Sequence, residues 1–195
     1  HRADFQKDAA AMCRDIMAHI AFPVFIKPCS TGSSVGVSKV KNESELMPAL
    51  ENAFKFDKKV LAEEFINGRE IEVAVLGNDQ PTAATAGEID AGAEFYDYET
   101  KYVTSTSTPY IPARIDQDTM LAVREWAVKI FCALGCAGLS RVDFFVTRDT
   151  NEIVFNEINT LPGFTPISMY PKMWAAEGVS FAELLDKVIA LALEA

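Results

Sequence analysis

Apolar and polar positions alternate with two different periods along this chain, and the switches between them mark out its elements. Residues 5–20 carry Phe5, Ala9, Met12, Ile16 and Ile20 at helical spacing, which predicts one amphipathic helix. Val24-Phe25-Ile26 reads as a short buried strand. A Gly/Ser-rich turn and a second strand, Val35-Gly36-Val37, then make a hairpin of residues 22–37. Ser44 is a plausible N-cap for a helix through Leu46, Leu50 and Phe54, and Lys59 to Phe65 reads as a strand. From Glu70 the period becomes two: Ile71, Val73 and Val75 on one face, Glu72 and Ala74 on the other, a turn at Gly77-Asn78-Asp79, and a returning strand from Thr82 to Ile89.

Residues 90–114 have no period and read as a long functional loop of the lid type. A helix from about Asp118 to Leu134 stops at Gly135. Ser180 with Glu183 forms a capping box for a last helix through Leu184, Val188 and Leu191. The order is helix, hairpin, helix, strand and then a mostly antiparallel sheet with helices. The fold class is therefore α+β, not a doubly wound βαβ array.

Composition narrows the functional classes. The 195 residues suffice for one domain or two small lobes, and 49% hydrophobic with 24% charged residues is ordinary globular composition. A net charge of -10 favours neither a nucleic-acid surface nor an anionic membrane, so a polyanionic ligand would need local cations and a metal. No apolar run reaches membrane-span length and the start lacks a signal peptide's apolar stretch, which gives the expectation of a cytoplasmic protein. Four cysteines without a CxxC pair read as buried free thiols, and His1 and His19 lie far from other polar clusters.

The chemistry concentrates in Arg141-Val142-Asp143-Phe144-Phe145 and Phe155-Asn156-Glu157-Ile158-Asn159. Residues two apart share a strand face, so pairing of these strands through Thr147 to Asn151 brings Asp143, Glu157 and Asn159 together beside Arg141. Three hard oxygen donors suit magnesium rather than zinc; the plainer alternative is a solvated outer face. Lys27 feeds a loop of small residues, Pro28 to Gly36, that lets backbone amides approach a phosphate, although it lacks the Walker ending and is equally a hairpin turn. Glu63, Glu64 and Glu70 sit along a stretch able to meet an exocyclic amine and ribose hydroxyls, or are surface charges. Phe95 to Tyr102 combines Lys101 with acids and tyrosines in the long loop, and Thr160 to Pro166 fixes a turn whose amides can face an anion.

In this order, the segments resemble the ATP-grasp ligases, and within them the D-alanine–D-alanine ligase family. The resemblance rests on Ile26-Lys27-Pro28, Gly32-Ser33-Ser34-Val35-Gly36, Tyr96 to Tyr102, Arg141-Val142-Asp143 and Asn156 to Gly163. It implies an ATP-grasp fold of two lobes with antiparallel sheets and flanking helices gripping ATP between them: residues 1–70 as part of the central lobe, and 71–195 as the C-terminal lobe with substrate loop and metal site. Lys27 and Lys101 would bind ATP phosphates under the amides of Ser33, Ser34 and Val35. Glu63 would meet the adenine amine, with the backbone of Glu64, Phe65 and Ile66 beside it, and Glu70 would hold the ribose. Asp143, Glu157 and Asn159 match the ligands of two magnesium ions, with manganese as an alternative, and Arg141 matches the cation on the oxyanion. Ser33 and Tyr102 match groups closing on the first amino acid, Gly163 and Ser168 the pocket for the second.

The implied reaction joins two D-alanines for peptidoglycan through an acyl phosphate. Tyr102 within the run Tyr96-Asp97-Tyr98-Glu99-Thr100-Lys101-Tyr102 argues against a D-lactate-using relative; D-serine as second substrate stays open, as does a nucleotide-binding module without ligase activity. Family members also carry an N-terminal domain with a glycine-rich loop that is not in this sequence, so the chain reads as the central and C-terminal lobes of a truncated form. Small-molecule substrates are the expected partners, with no nucleic acid and no membrane, and the full-length form is expected to be a homodimer.

Overall fold

The computed structural model describes residues 1–90, 108–165 and 167–194. Two compact units make it up, and in the first part of the chain the break between them falls between Ile66 and Asn67. The fold is α+β, with antiparallel sheets and helices in each unit.

In the first unit the predicted amphipathic helix is two: α1 (Arg2–Lys7) and α2 (Ala9–His19). The break is at Asp8, whose extended backbone ends one helix while its carboxylate accepts from Ala11 N and caps the next. Strand β1 (Val24–Pro28) pairs antiparallel with β2 (Ser38–Val40) on one side and β3 (Val60–Glu64) on the other. β2 starts after the expected Val35 to Val37, because Ser33, Ser34 and Gly36 all have positive φ and hold residues 33–36 in a turn. Helix α3 (Glu43–Phe56) is capped by Asn42 instead of the expected Ser44: the Asn42 side chain accepts from Ser44 N, so the helix starts earlier than the sequence suggests. Val24 and Ile26 face Leu46, Leu50 and Phe54 of α3 and Cys13 of α2 in one apolar core. The alternate residues Phe25 and Lys27 are left on the other sheet face.

The second unit is a six-stranded antiparallel sheet: β4 (Gly68–Gly77), β5 (Thr82–Ala83), β6 (Gly87–Asp90), β7 (Thr108–Tyr110), β8 (Gly138–Thr147) and β9 (Ile153–Asn159). The path is β7-β6-β4-β8-β9, with β5 also paired to β4. The expected single returning strand is thus two short ones, and the tail of the long loop is itself a strand. Helix α4 (Gln117–Ala133) packs its Met120, Val123, Ala127 and Phe131 on the Ile71, Val73, Val75, Val142 and Phe144 face. It ends as the sequence indicates: Gly135, at φ 64, donates to Cys132 O and Cys136 N donates to Phe131 O, closing the last turn from outside. The opposite face is divided. Ala74, Leu76 and Leu139 lie under α5 (Met169–Ala176) and α6 (Phe181–Leu193), with Tyr170, Met173, Trp174 and Leu184 as the filling. Helix α5 has no counterpart in the sequence reading, and α6 carries the expected Ser180/Glu183 capping box. The cysteines are all free, but only Cys13 is buried; Cys29 and Cys132 are exposed. Among the described residues no helix is long and apolar enough to cross a membrane.

Candidate functional site

The half of the second sheet's face not covered by α5 and α6 is polar, and strand register explains why. Glu72 pairs with Asp143 and Asp143 with Glu157, so three carboxylates form a row across β4, β8 and β9. One pair further along, Ala74 pairs with Arg141 and Arg141 with Asn159. Directly opposed residues share a face. A bulge follows: the register shifts at Asp143/Phe144, so that Phe155 pairs with Phe144 and Asn156 is the extra residue. The bulge puts Phe155 with the ring of Phe144, centroids 6.2 Å apart, while Glu157, only two residues on, stands with Asp143.

Arg141 grips Asp143 with two parallel hydrogen bonds, Nε to Oδ1 at 2.7 Å and Nη2 to Oδ2 at 2.6 Å, and Glu72 Oε1 lies 3.4 Å from Nε. Burial opposes the guanidinium's charge, but the Asp143 hydrogen bonds and the charges of Asp143, Glu72 and Glu157 outweigh it and raise its pKa. Arg141 is therefore a permanent cation. Among the described residues three carboxylates stand near one guanidinium, and all the side-chain donors in the row are oxygens. Asn159 Oδ1 accepts from Leu161 N and keeps a second lone pair. Oxygen donors are the kind a hard divalent cation such as magnesium takes, although both Asp143 oxygens are engaged by Arg141 here. Among the described residues no group of three or more histidine, cysteine, aspartate or glutamate side chains is arranged to hold a metal. The third donor from β9 is an amide, and Glu72 is the acid that the sequence reading left out of the site. Its only signal was its place on the polar face of the Ile71/Val73/Val75 alternation.

Beyond β9 lie Gly163, Thr165 and Ser168. Ser168 Oγ accepts from Thr165 N at 3.0 Å, and a Cβ on Gly163 would lie 2.8 Å from that oxygen. Gly163 and Ser168 are thus brought together, and a Cβ at 163 would have to push the Ser168 hydroxyl aside.

In the first unit Lys27 Nζ lies 2.6 Å from Glu63 Oε2, since Phe25 opposes Glu63 on the uncovered face and Lys27 follows two residues on. Phe65 continues this face: its ring lies 6.2 Å from that of Phe25, with Lys39 Nζ 4.0 Å above it. Glu64 is exposed and Ile66 half-buried. Ser33 and Ser34 occupy left-handed backbone at φ 54 and 59, and the Val35 amide closes their turn by donating to Gly32 O at 3.2 Å. Glu70 belongs to β4 of the second unit, paired with Ile89 and Phe145. Lys101 and Tyr102, with the rest of the expected lid, lie outside the described residues.

Comparison with known proteins gives these clusters a context. A family profile described as "D-ala D-ala ligase C-terminus" matches residues 1–190. A D-alanine–D-alanine ligase of Chlorobaculum parvum is 55% identical over 98% of this chain and 53% of its own length. One from Acetivibrio thermocellus is 52% identical over 99% of this chain and 51% of its own. Among solved structures, the VanG D-Ala:D-Ser ligase from Enterococcus faecalis superposes with a TM-score of 0.85 at 47% identity, covering 96% of this chain and 54% of that one. The D-alanine–D-alanine ligase from Coxiella burnetii gives 0.79 at 37% identity, covering 95% of this chain and 48% of that one. The chain spans about half the length of the curated relatives it matches. With a profile match along nearly its whole length and relatives more than half identical, the chain belongs to the D-alanine–D-alanine ligase family.

Proposed function

We propose that this chain is the ATP-using part of a ligase that joins two D-alanines into D-alanyl-D-alanine for the cell wall, working in the cytoplasm. The observation that carries the reading is the row Glu72, Asp143, Glu157 with Arg141 and Asn159 beside it, an acidic patch of oxygen donors with a fixed guanidinium among the described residues. When bound, Mg-ATP supplies the phosphoryl group that converts the first D-alanine's carboxylate into an acyl phosphate, the metal offsetting phosphate charge.

The chain's own residues do the rest. Asp143, Glu157 and Asn159 would hold two magnesium ions. Arg141, held by Asp143, presents preorganised positive charge to the oxyanion formed when the second amine attacks the activated carbonyl. In the first unit Lys27 meets phosphate, which requires its pairing with Glu63 to open and leaves Glu63 to accept from the adenine amine. The backbone of Glu64 to Ile66 reads the base edge, Glu70 takes the ribose, and Ser33, Ser34 and Val35 shape the phosphate loop. Ser33 and Tyr102 would contact the first amino acid, Lys101 a phosphate, and Gly163 with Ser168 the second amino acid's carboxylate.

D-Serine as the second amino acid is the alternative favoured by one observation, the high superposition on a protein described as a D-Ala:D-Ser ligase. The test is phosphate release by the full-length protein with ATP, magnesium and D-alanine, alone and with D-serine added. Phosphate release and D-alanyl-D-alanine with D-alanine alone sustain the reading, and mixed dipeptide dominating at equal concentrations favours the D-serine form. Absence of either product defeats it.

A further inference from the structure

The C-terminal end of α3 touches the glycine- and serine-rich loop at both of its ends. At the entry, Ser30 N donates to Asp57 Oδ2 at 2.7 Å, and Cys29 N donates to Lys59 O at 3.1 Å. The other Asp57 oxygen accepts from Lys58 N at 2.6 Å and Lys59 N at 3.2 Å, which fixes the carboxylate's direction. At the exit, Gly36 lies so near Phe56 that a Cβ would come within 2.6 Å of Cδ2, and within 2.9 Å of Pro28 Cγ on the other side. Phe56 is 49% exposed, so burial alone does not account for its ring. Between these anchors Thr31 Oγ1 donates to Val35 O at 3.0 Å and Ser33 and Ser34 stand in left-handed backbone. Each such non-glycine residue is strained and persists only where its surroundings hold it.

We infer that Asp57 and Phe56 form a brace that holds residues 30–36 in a preformed shape for a nucleotide's phosphates, with Asp57 as a positioning residue that touches no ligand itself. The inference rests on the nucleotide reading above and deepens it. Arg2 completes the support: its Nη2 donates to Asp57 O at 2.9 Å, and its backbone N to Lys58 O at 2.8 Å, so α1 secures the same helix end. The Ser30 side chain and the Lys59 amide also keep the Asp57 carboxyl below its usual pKa, so the brace is charged at neutral pH. A loop already held in its strained shape loses less freedom on binding, and a phosphate gains most because it takes several amides at once.

Two measurements on the 195-residue chain test the brace. Hydrogen exchange without nucleotide should rise about tenfold or more across residues 30–36 in Asp57→Ala, with β1 and α3 unchanged; unchanged loop exchange overturns the brace. Calorimetry should show Mg-ATP bound about tenfold more weakly by Asp57→Ala, with AMP, which lacks the outer phosphates, within about twofold of wild type. Asp57→Asn, which keeps an acceptor for Ser30 N, should recover part of the loss. Equal weakening of ATP and AMP makes Asp57 a general structural residue and overturns the positioning role. Failure of the unaltered chain to bind Mg-ATP would count against the nucleotide reading, whereas the exchange result decides the brace by itself.

Discussion

The second unit contains two clusters built from the same materials, acids and arginines on one antiparallel sheet, and among the described residues they differ in the ratio of acids to arginines. At Glu88 one carboxylate, 1% exposed, meets two guanidiniums: Arg69 Nη1 at 2.8 Å, and Arg114 through its backbone N, Nε and Nη2 at 2.9, 3.1 and 2.8 Å. Arg114 also reaches Asp90 at 2.6 Å and stacks on Tyr110 at 3.6 Å. Charges match, donors and acceptors are spent on one another, and the ends of β4, β6 and β7 are tied. At Arg141 the described residues place one guanidinium against three carboxylates. A balanced cluster is finished by folding. Under the proposed function the acid-rich row also takes a cation, so the same residue types would make a structural joint in one place and a binding site in the other.

The largest expected effect breaks the balanced cluster. Glu88→Ala removes the buried carboxylate shared by Arg69 and Arg114, and should cost about 3 kcal/mol of stability, the low end for opening a buried ion pair, because both arginines keep access to solvent and Arg114 keeps Asp90. Glu157→Ala, on the exposed end of the other row, should cost under about 1 kcal/mol. Urea unfolding of both variants measures the difference; equal losses would mean that the two clusters serve the same purpose.

Second in size is Arg141→Lys, which keeps charge and loses the planar fork that Asp143 grips. Ligation by the full-length protein should fall roughly 100-fold or more, as for loss of a preorganised oxyanion donor, while the midpoint of unfolding moves little. Near-normal ligation would make Arg141 a structural charge like Arg69.

The two clusters also differ in how they could be read from sequence. Arg141/Asp143 and Glu157/Asn159 are i, i+2 pairs on two strands joined by a short turn, so local alternation placed all four on one face. Glu88 lies in an unremarkable strand, and its arginines are 19 and 26 residues away. Only the pairing of β4 with β6 and the return of the chain after β7 bring them together, and no local period reports that. The same limit explains Glu72, which joins the site through β4–β8 register. Helix ends were legible where the signal is local chemistry, as at Gly135 and Ser180/Glu183. They were misplaced where two polar candidates compete, as Asn42 does with Ser44, or where one aspartate both stops and restarts a helix, as Asp8 does.

Magnesium provides a third, smaller contrast. If the row at Asp143 is completed by a divalent cation, millimolar magnesium should raise the unfolding midpoint of the unaltered chain by a few degrees, as weak binding to the folded state does. Glu157→Ala should lose that rise and Glu88→Gln should keep it. Thermal scans with and without magnesium, at constant ionic strength, read the result, and a rise that survives Glu157→Ala would move the cation elsewhere.

The smallest effect is a pH dependence confined to the balanced cluster. Burial alone would raise the Glu88 carboxyl's pKa, but hydrogen bonds from Arg114 and Arg69 outweigh it and hold the value below the usual 4.5. A carboxylate with a lowered folded value contributes stability that is complete above its unfolded value and disappears as pH falls through the folded one. The groups facing it are Arg69 from β4, Arg114 after β7 and Asp90 from its own strand, and the arginines stay charged throughout. Other carboxylates with lowered values, such as Asp116 and Glu183, weaken the fold over the same range, so total stability does not isolate Glu88. The difference between the unaltered chain and Glu88→Gln does. That difference should be constant from about pH 8 to about 5 and shrink steadily below about 4.5, as the protonated glutamate comes to resemble the glutamine that replaces it. Unfolding midpoints of the two proteins across that range decide the matter: a gap that stays constant down to about pH 3 means that the arginines stabilise Glu88 through packing and hydrogen bonds that do not need its charge.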